Sequence, residues 1–529
     1  MYTALGAVKK KAELNKNDKL SRCGVLLNCS GISFFLSLSP PSPPFTKTTM
    51  SPDPIRDEAL VAAVKSAKPP RPNKWRPILR LLLFHFLTVG TLPIAFLANF
   101  IRAAIPFLRP HRRMSFVAAL GTLMVRYSIR MMVLTSFQPL PPREHGWREQ
   151  PGLLGASLAT LNMSGPGSRV AHPLLTLKAA TKQAHKQSGK RRNDRVWFDA
   201  PQLPYYRGIL TLKYGKGEPQ KVKGCSTYNG PAMVDVSWTK SRTRGFWFLP
   251  NGKKQHPPAR QPGGQKEPVV LYFHGGAAVT FSAGDLFMGE ILASNLAKSS
   301  KLPVFSVDYN LAPYAPFPIP LVQALGGYLY LTDTLGYRPD QIFIGGDSFG
   351  SHLTLALERY LRLEMPAIRG DVENQSKASP GLLLLSPWLS TLNDPWKSRP
   401  SNLGSDIITL TYGDWGVEAM QLGPKYEKRC SLDLLDPWLS PVYKSVEEMS
   451  QLPPLFVGNG GVEVLLDEGK EFVRKARQAK NDVTHVITPF QPHDFYTLPF
   501  ALPHSRKVYT QFGHWARKHV DYAPYVITS

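Results

Sequence analysis

Gln341–Leu361 reads QIFIGGDSFGSHLTLALERYL. Its first residues form a short apolar and β-branched run, its last residues repeat apolar side chains at spacings of three and four, and GDSFG stands between them. The reading is a strand, an abrupt turn centred on Ser348, and a helix. Such a turn is so tight that only small residues fit two before and two after the serine, the places held by Gly346 and Gly350. The hydroxyl then projects beside a helix amino terminus, where developing negative charge is favoured. Ser348 is the candidate nucleophile, flanked by Asp347 and Phe349.

Outward from this stretch, PVVLYF, PVFSVDY, GLLLLS, PPLFVG and THVITPF are further short strand-like runs. Helical patterns separate them in LVQALGGYLYLTDTL and EVLLDEGKEFVRKARQAK, and LPHSRKVYTQFGHWARKHV closes the series. Strands alternating with helices predict an α/β fold, a mostly parallel central sheet flanked by helices. At the end of PVVLYF stand His274, Gly275, Gly276 and Ala277. Glycines there let backbone N–H groups face a substrate carbonyl, so Gly275, Gly276, Ala277 and the N–H of Phe349 are the candidate oxyanion hole.

These motifs together resemble the hormone-sensitive-lipase-like branch of the α/β-hydrolases, which includes arylacetamide deacetylases and fungal steryl acetyl hydrolases. HGGA, DYNLAPYAPFPIP, GDSFG, SPWLS, DPWLSP, EVLLDEG and PHDF carry the resemblance, in the family's order, over residues 195–529. The resemblance implies a serine carboxylic ester hydrolase. The family's D-P-L-x-D-E-G lies over Glu463–Gly469, which implies Glu463 as the catalytic acid, with Asp467 one helical turn on as its rival. His493, in the last loop before the closing helix, is then the base. Asp494 replaces the glycine of the family's H-G-F and adds a second carboxylate beside the base. Ala277 and Phe349 replace smaller family residues, so a narrow pocket and a small acyl group such as acetyl are expected. A cap insertion is expected at about 392–440, where Trp396, Tyr412 and Trp415 would line a lipophilic alcohol site.

The 529 residues carry 64 Lys and Arg against 38 Asp and Glu, a formal net charge of +26. The cations crowd the first 80 positions and Lys178–Lys266, read as membrane-proximal flanks and solvated loops. No zinc-finger, RRM or helix-turn-helix pattern accompanies them, so nucleic acid is not expected as a partner. Hydrophobic residues at 43% suffice for a core. Four cysteines without ligand spacing (Cys23, Cys29, Cys225, Cys430) leave no metal or cofactor expected.

Residues 1–80 are expected to be a basic, disordered tail, and 81–101, LLLFHFLTVGTLPIAFLANFI, a transmembrane helix. Residues 102–194 read as an amphipathic helix, with Arg126 and Arg130 in its middle, followed by linker or cap material. More cations precede the span than follow it, which favours a cytosolic tail and a lumenal catalytic domain. The resemblance places that domain at the endoplasmic reticulum, and sequons at Asn28, Asn162 and Asn374 suit lumenal exposure. The alternative reading is a non-catalytic receptor for a lipophilic ligand on the same fold. Oligomeric state is open.

Overall fold

All six apolar runs are strands of one eight-stranded sheet in the computed structural model. The structure describes residues 58–70, 75–136, 195–215, 228, 230–252, 268–369, 379–393, 395–421 and 432–520. Every described residue belongs to one compact unit within 49–529. Most of the basic tail, the segment 137–194, the four cysteines and the three sequons lie outside the described residues.

The strands are β1 (Arg195–Asp199), β2 (Arg242–Phe248), β3 (Val269–Phe273), β4 (Val304–Asp308), β5 (Ile342–Asp347), β6 (Leu382–Leu385), β7 (Leu455–Gly460) and β8 (Val483–Thr488). The helices are α1 (Glu58–Ser66), α2 (Trp75–Ala104), α3 (Phe116–Thr135), α4 (Ser294–Ser300), α5 (Ile319–Leu329), α6 (Phe349–Arg369), α7 (Ser398–Asn402), α8 (Leu410–Gln421), α9 (Leu466–Gln478) and α10 (Leu502–Lys518). The sheet runs β1-β2-β4-β3-β5-β6-β7-β8, antiparallel at β1–β2 and β2–β4 and parallel elsewhere. Strands β3 to β7 are buried along their whole length, because helices cover both faces of a parallel sheet.

Strand β2 corrects the reading of the basic stretch Lys178–Lys266 as solvated loops. Its segment RTRGFWF pairs with β1 and β4, and Arg244 donates to Asp308 Oδ2 at 2.8 and 2.5 Å. An antiparallel strand near a sheet edge tolerates charge on alternate residues when a partner neutralises it, and here Asp308 at the end of β4 does so.

Helix α2 extends beyond 81–101 at both ends and retains Pro93 within it. It lies against α3, where Tyr127 bonds Thr91 at 2.7 Å and donates to the Thr88 carbonyl at 3.1 Å. The two arginines in the middle of α3 part company. Arg130 is exposed, whereas Arg126 is buried and donates to the carbonyls of Leu403, Gly404 and Asp406. Three carbonyls converging on one guanidinium satisfy its charge away from water and fix α3 to the loop after α7.

Candidate active site

Strand β5 ends at Asp347 and α6 begins at Phe349, leaving Ser348 alone in the turn with φ 51°. A left-handed serine costs backbone strain, and flanking hydrogen bonds hold it there. Its N–H donates to Leu385 O at 2.9 Å, and its carbonyl accepts from Trp388 N–H at 3.2 Å. A Cβ added at Gly350 would lie 1.9 Å from Phe273 O, and one at Gly346 would lie 2.3 Å from the backbone of Gly350. The contacts are with backbone, which has no side-chain freedom to yield, so both positions exclude any larger residue.

Gly275 departs from its expected role. Its N–H donates to Asp347 Oδ2 at 2.9 Å, so that donor is occupied. The N–H groups of Gly276, Ala277 and Phe349 have no partner among the described residues and border Ser348. Asp347 is fully buried, also accepts from Tyr272 OH at 2.8 Å, and its carboxyl is pushed well up by burial and by Asp494. It therefore fastens the β3 loop to the elbow. His274 stacks on Tyr309 with ring centroids 4.4 Å apart, and its Nδ1 lies 2.8 Å from Gly275 O, a pairing that requires Nδ1 to donate. Contrary to the expectation from its size, the Phe349 ring does not line either hollow at Ser348. It is wholly buried against His352 and Trp388, because the first residue of α6 points into the core.

His493 Nε2 lies 3.0 Å from Ser348 Oγ. Its Nδ1 faces Glu463 Oε2 at 3.8 Å, longer than a hydrogen bond, and has no other partner. Glu463 is held by Ser386 Oγ at 2.6 Å and by the Asn459 amide. Asp467 is elsewhere: it accepts from Ser398 N–H at 2.8 Å and caps a turn of the cap. Asp494 Oδ2 approaches the same Nε2 at 3.1 Å, so two oxygens share one ring nitrogen. Burial opposes charge on the imidazole, but the carboxylates of Asp494, Asp406 and Glu463 outweigh it and raise His493 above the usual imidazole range. Burial likewise raises Glu463, against the pull of His493.

Three residues that sequence reasoning missed complete the arrangement. Asp406, wholly buried, accepts the N–H groups of His493, Val464 and Ile407 at 2.7, 2.6 and 2.7 Å, so one carboxylate ties the His493 loop to the Glu463 loop. Ser386 and Asn459 orient Glu463, and Ser386 Oγ also accepts Asp494 N–H at 3.1 Å. Ser386 opens the SPWLS motif, a signal that could have found it; Asp406 sits in a cap segment with no motif of its own.

The model of the alpha/beta hydrolase fold matches residues 270–497. An esterase of Acinetobacter venetianus is 34% identical over 250 residues, covering 47% of this chain and 74% of that protein. The chain belongs to the α/β-hydrolase fold family. An acetyl-hydrolase of Streptomyces hygroscopicus is 26% identical and covers 49% of this hydrolase and 77% of its own length. Among solved structures, a hormone-sensitive lipase from a metagenome library is 26% identical, with a TM-score of 0.40, covering 48% of this chain and 78% of that one.

Two hollows open on Ser348 and His493 of this α/β hydrolase. One, of about 330 Å³, is bounded by Phe84 of α2, Val125, Ile129 and Met132 of α3, and Tyr412 of α8. The other, of about 30 Å³, lies under Ala277, Trp388 and Leu465. Tyr412 thus lines the site as expected from the cap, whereas Trp396 packs on Tyr443 and Trp415 on Tyr412, and neither ring borders either hollow. The aromatic count of the cap is a poor guide because α8 turns only one face to the cavity.

The raised His493 sets an expected pH profile. A base must be unprotonated to accept the serine proton, so kcat/KM is expected to rise with pH past neutrality, to a limb above the ordinary imidazole value. Asp494→Gly should move that limb to lower pH, since it removes the carboxylate nearest Nε2. A pH–rate series on both proteins checks this, and an unmoved limb counts against it.

Proposed function

We propose that this α/β hydrolase is a membrane-attached serine esterase cleaving short acyl esters of lipophilic alcohols, with Ser348 as nucleophile, His493 as base and Glu463 as acid. The observation that carries the reading is the 3.0 Å approach of Ser348 Oγ to His493 Nε2, at an elbow bordered by unoccupied backbone N–H groups. His493 takes the serine proton, the alkoxide adds to the ester carbonyl, and the oxyanion is held by the N–H groups of Gly276, Ala277 and Phe349. His493 then protonates the leaving alcohol, and water, activated by the same imidazole, releases the acid from Ser348. Glu463 steadies the imidazolium, a role that calls for its 3.8 Å gap to Nδ1 to shorten when substrate binds.

The sizes of the hollows support the substrate assignment. The small one has room for a methyl-sized acyl chain, and the large apolar one for a bulky alcohol. Across p-nitrophenyl esters, kcat/KM is expected to fall by about tenfold or more from acetyl to hexanoyl. A flat or rising series would assign the small hollow another role. A fluorophosphonate probe should label the wild type and not Ser348→Ala.

Membrane attachment is proposed through α2. Within residues 79–104 an 18-residue window has a mean hydropathy of 2.0, and Phe86, Val89, Ile94 and Leu97 are 75%, 72%, 74% and 61% exposed. A row of large apolar side chains in water is costly, and a bilayer removes that cost. With Phe84 lining the cavity, substrate would reach Ser348 from the membrane side. The triple variant Phe86→Glu, Ile94→Glu, Leu97→Glu is expected to stay at the bottom of a flotation gradient while wild type rises with phosphatidylcholine vesicles. Co-flotation of the variant would remove α2 as the anchor.

A receptor role draws on one observation, the approach of Asp494 to the base nitrogen, which stands where a free lone pair is needed. It predicts ligand binding without probe labelling or turnover.

A further inference from the structure

Asp494 occupies a backbone position that glycine fills most cheaply. Its φ is 45°, and the conformation is held at both ends, by its N–H on Ser386 Oγ at 3.1 Å and by its carbonyl accepting from Thr497 N–H at 2.9 Å and Thr497 Oγ1 at 2.8 Å. An acidic side chain in a left-handed, 5%-exposed site is held in place by its surroundings, at some cost in strain.

Its side chain supplies the second observation. Asp494 lines the 330 Å³ hollow; Oδ2 lies 3.1 Å from His493 Nε2, and Oδ1 is buried with no partner among the described residues. The other polar side chains of that wall outside the catalytic pair are engaged. Thr280 and Tyr412 bond each other, Ser128 donates to Met124 O, Ser282 to Asp308 and Thr497 to Asp494 O, and Asp285 accepts from Met288 N–H. An unpaired buried carboxylate oxygen beside the reacting atoms is costly unless a bound donor meets it. The proton that His493 returns goes to the leaving alcohol oxygen, so a donor reaching Asp494 belongs to the alcohol half of the ester.

We infer that Asp494 is a specificity residue that selects esters whose lipophilic alcohol carries a second hydrogen-bond donor, a hydroxyl or an amine, on the carbon next to the ester-bearing carbon. The inference rests on the esterase reading. The donor pairs with the Asp494 carboxylate and draws it off Nε2, which frees the base toward Ser348. The same carboxylate repels alcohols carrying an acidic group at that carbon.

The test compares kcat/KM for cyclohexyl acetate and trans-2-hydroxycyclohexyl acetate, with wild type, Asp494→Gly, Asp494→Asn and a Ser348→Ala blank. Glycine suits φ 45°, so Asp494→Gly keeps the loop. Wild type is expected to prefer the hydroxy ester by about tenfold or more, the discrimination typical of a charged acceptor. The preference should fall to near unity in Asp494→Gly and survive in part in Asp494→Asn, whose amide oxygen still accepts. Using a ratio separates selection from a general change at His493. Equal rates on both esters in the wild type, or a preference untouched by Asp494→Gly, overturn the inference and leave the esterase reading standing. No turnover of either ester together with no fluorophosphonate labelling removes both.

Discussion

Ser348→Ala is expected to lower ester turnover by about 10⁴-fold or more while the protein still folds. Among the described residues the hydroxyl has one hydrogen-bond partner, His493 Nε2 at 3.0 Å, so its loss disturbs no structural bond. The backbone bonds that hold the elbow, Ser348 N–H to Leu385 O and Trp388 N–H to Ser348 O, remain available to alanine. Alanine also carries the same Cβ as serine, so the left-handed φ of 51° costs both residues about the same. Turnover of p-nitrophenyl acetate and a thermal melt check the two halves of the expectation. Retention of a tenth of the activity with an unchanged melt would place the nucleophile elsewhere. His493→Ala added to Ser348→Ala should reduce the rate little further, because the two groups act as a unit.

Asp406→Ala is expected to reduce both stability and turnover, although Asp406 touches none of the proposed reacting atoms. Its carboxylate accepts three backbone N–H groups, from His493, Val464 and Ile407, in a wholly buried site. Removing it strands three buried donors at about 1–3 kcal/mol each, so a loss on the order of 3 kcal/mol or more is expected in the melt. The loops of His493 and Glu463 then lose their common tie, and a displacement of about 1 Å at such a site costs on the order of 10²-fold in rate. The loss should fall on kcat with KM little changed, and Asp406→Asn should recover part of it. A melt lowered with kcat intact would reduce Asp406 to a packing residue. The loop that carries Asp406 is the one gripped by Arg126 of α3, so the amino-terminal helix and the position of the imidazole are joined through Leu403–Asp406.

The elbow was legible because its constraints are local. A strand pattern, two glycines around a serine and a helix pattern are contiguous in Gln341–Leu361, and the close approaches to Phe273 O and the Gly350 backbone give the physical basis of that signature. The five buried strands β3 to β7 were legible for a similar reason, since burial on both faces requires continuous apolar runs, whereas the half-buried β8 was marked by its β-branched residues. Strands β1 and β2 were hidden by arginines, whose cost is offset in part by Asp308, a residue far away in the chain.

Residue types and their order along the chain thus determined the fold class, the turn at Ser348 and the loops that carry His493 and Glu463, because parallel strands deliver their carboxyl-terminal loops to one edge of the sheet. Which donors remain open was decided only by the folded chain. Gly275 differs from Gly276 by one place in the sequence, yet the packing of β3 beside β5 brings an Asp347 oxygen to the first and not the second. The junction of Asp406 with two loops, the inward turn of Arg126 and the unpaired oxygen of Asp494 belong to the same class. Each depends on distances between segments remote in sequence, and periodicity and motif spacing carry no information about those distances.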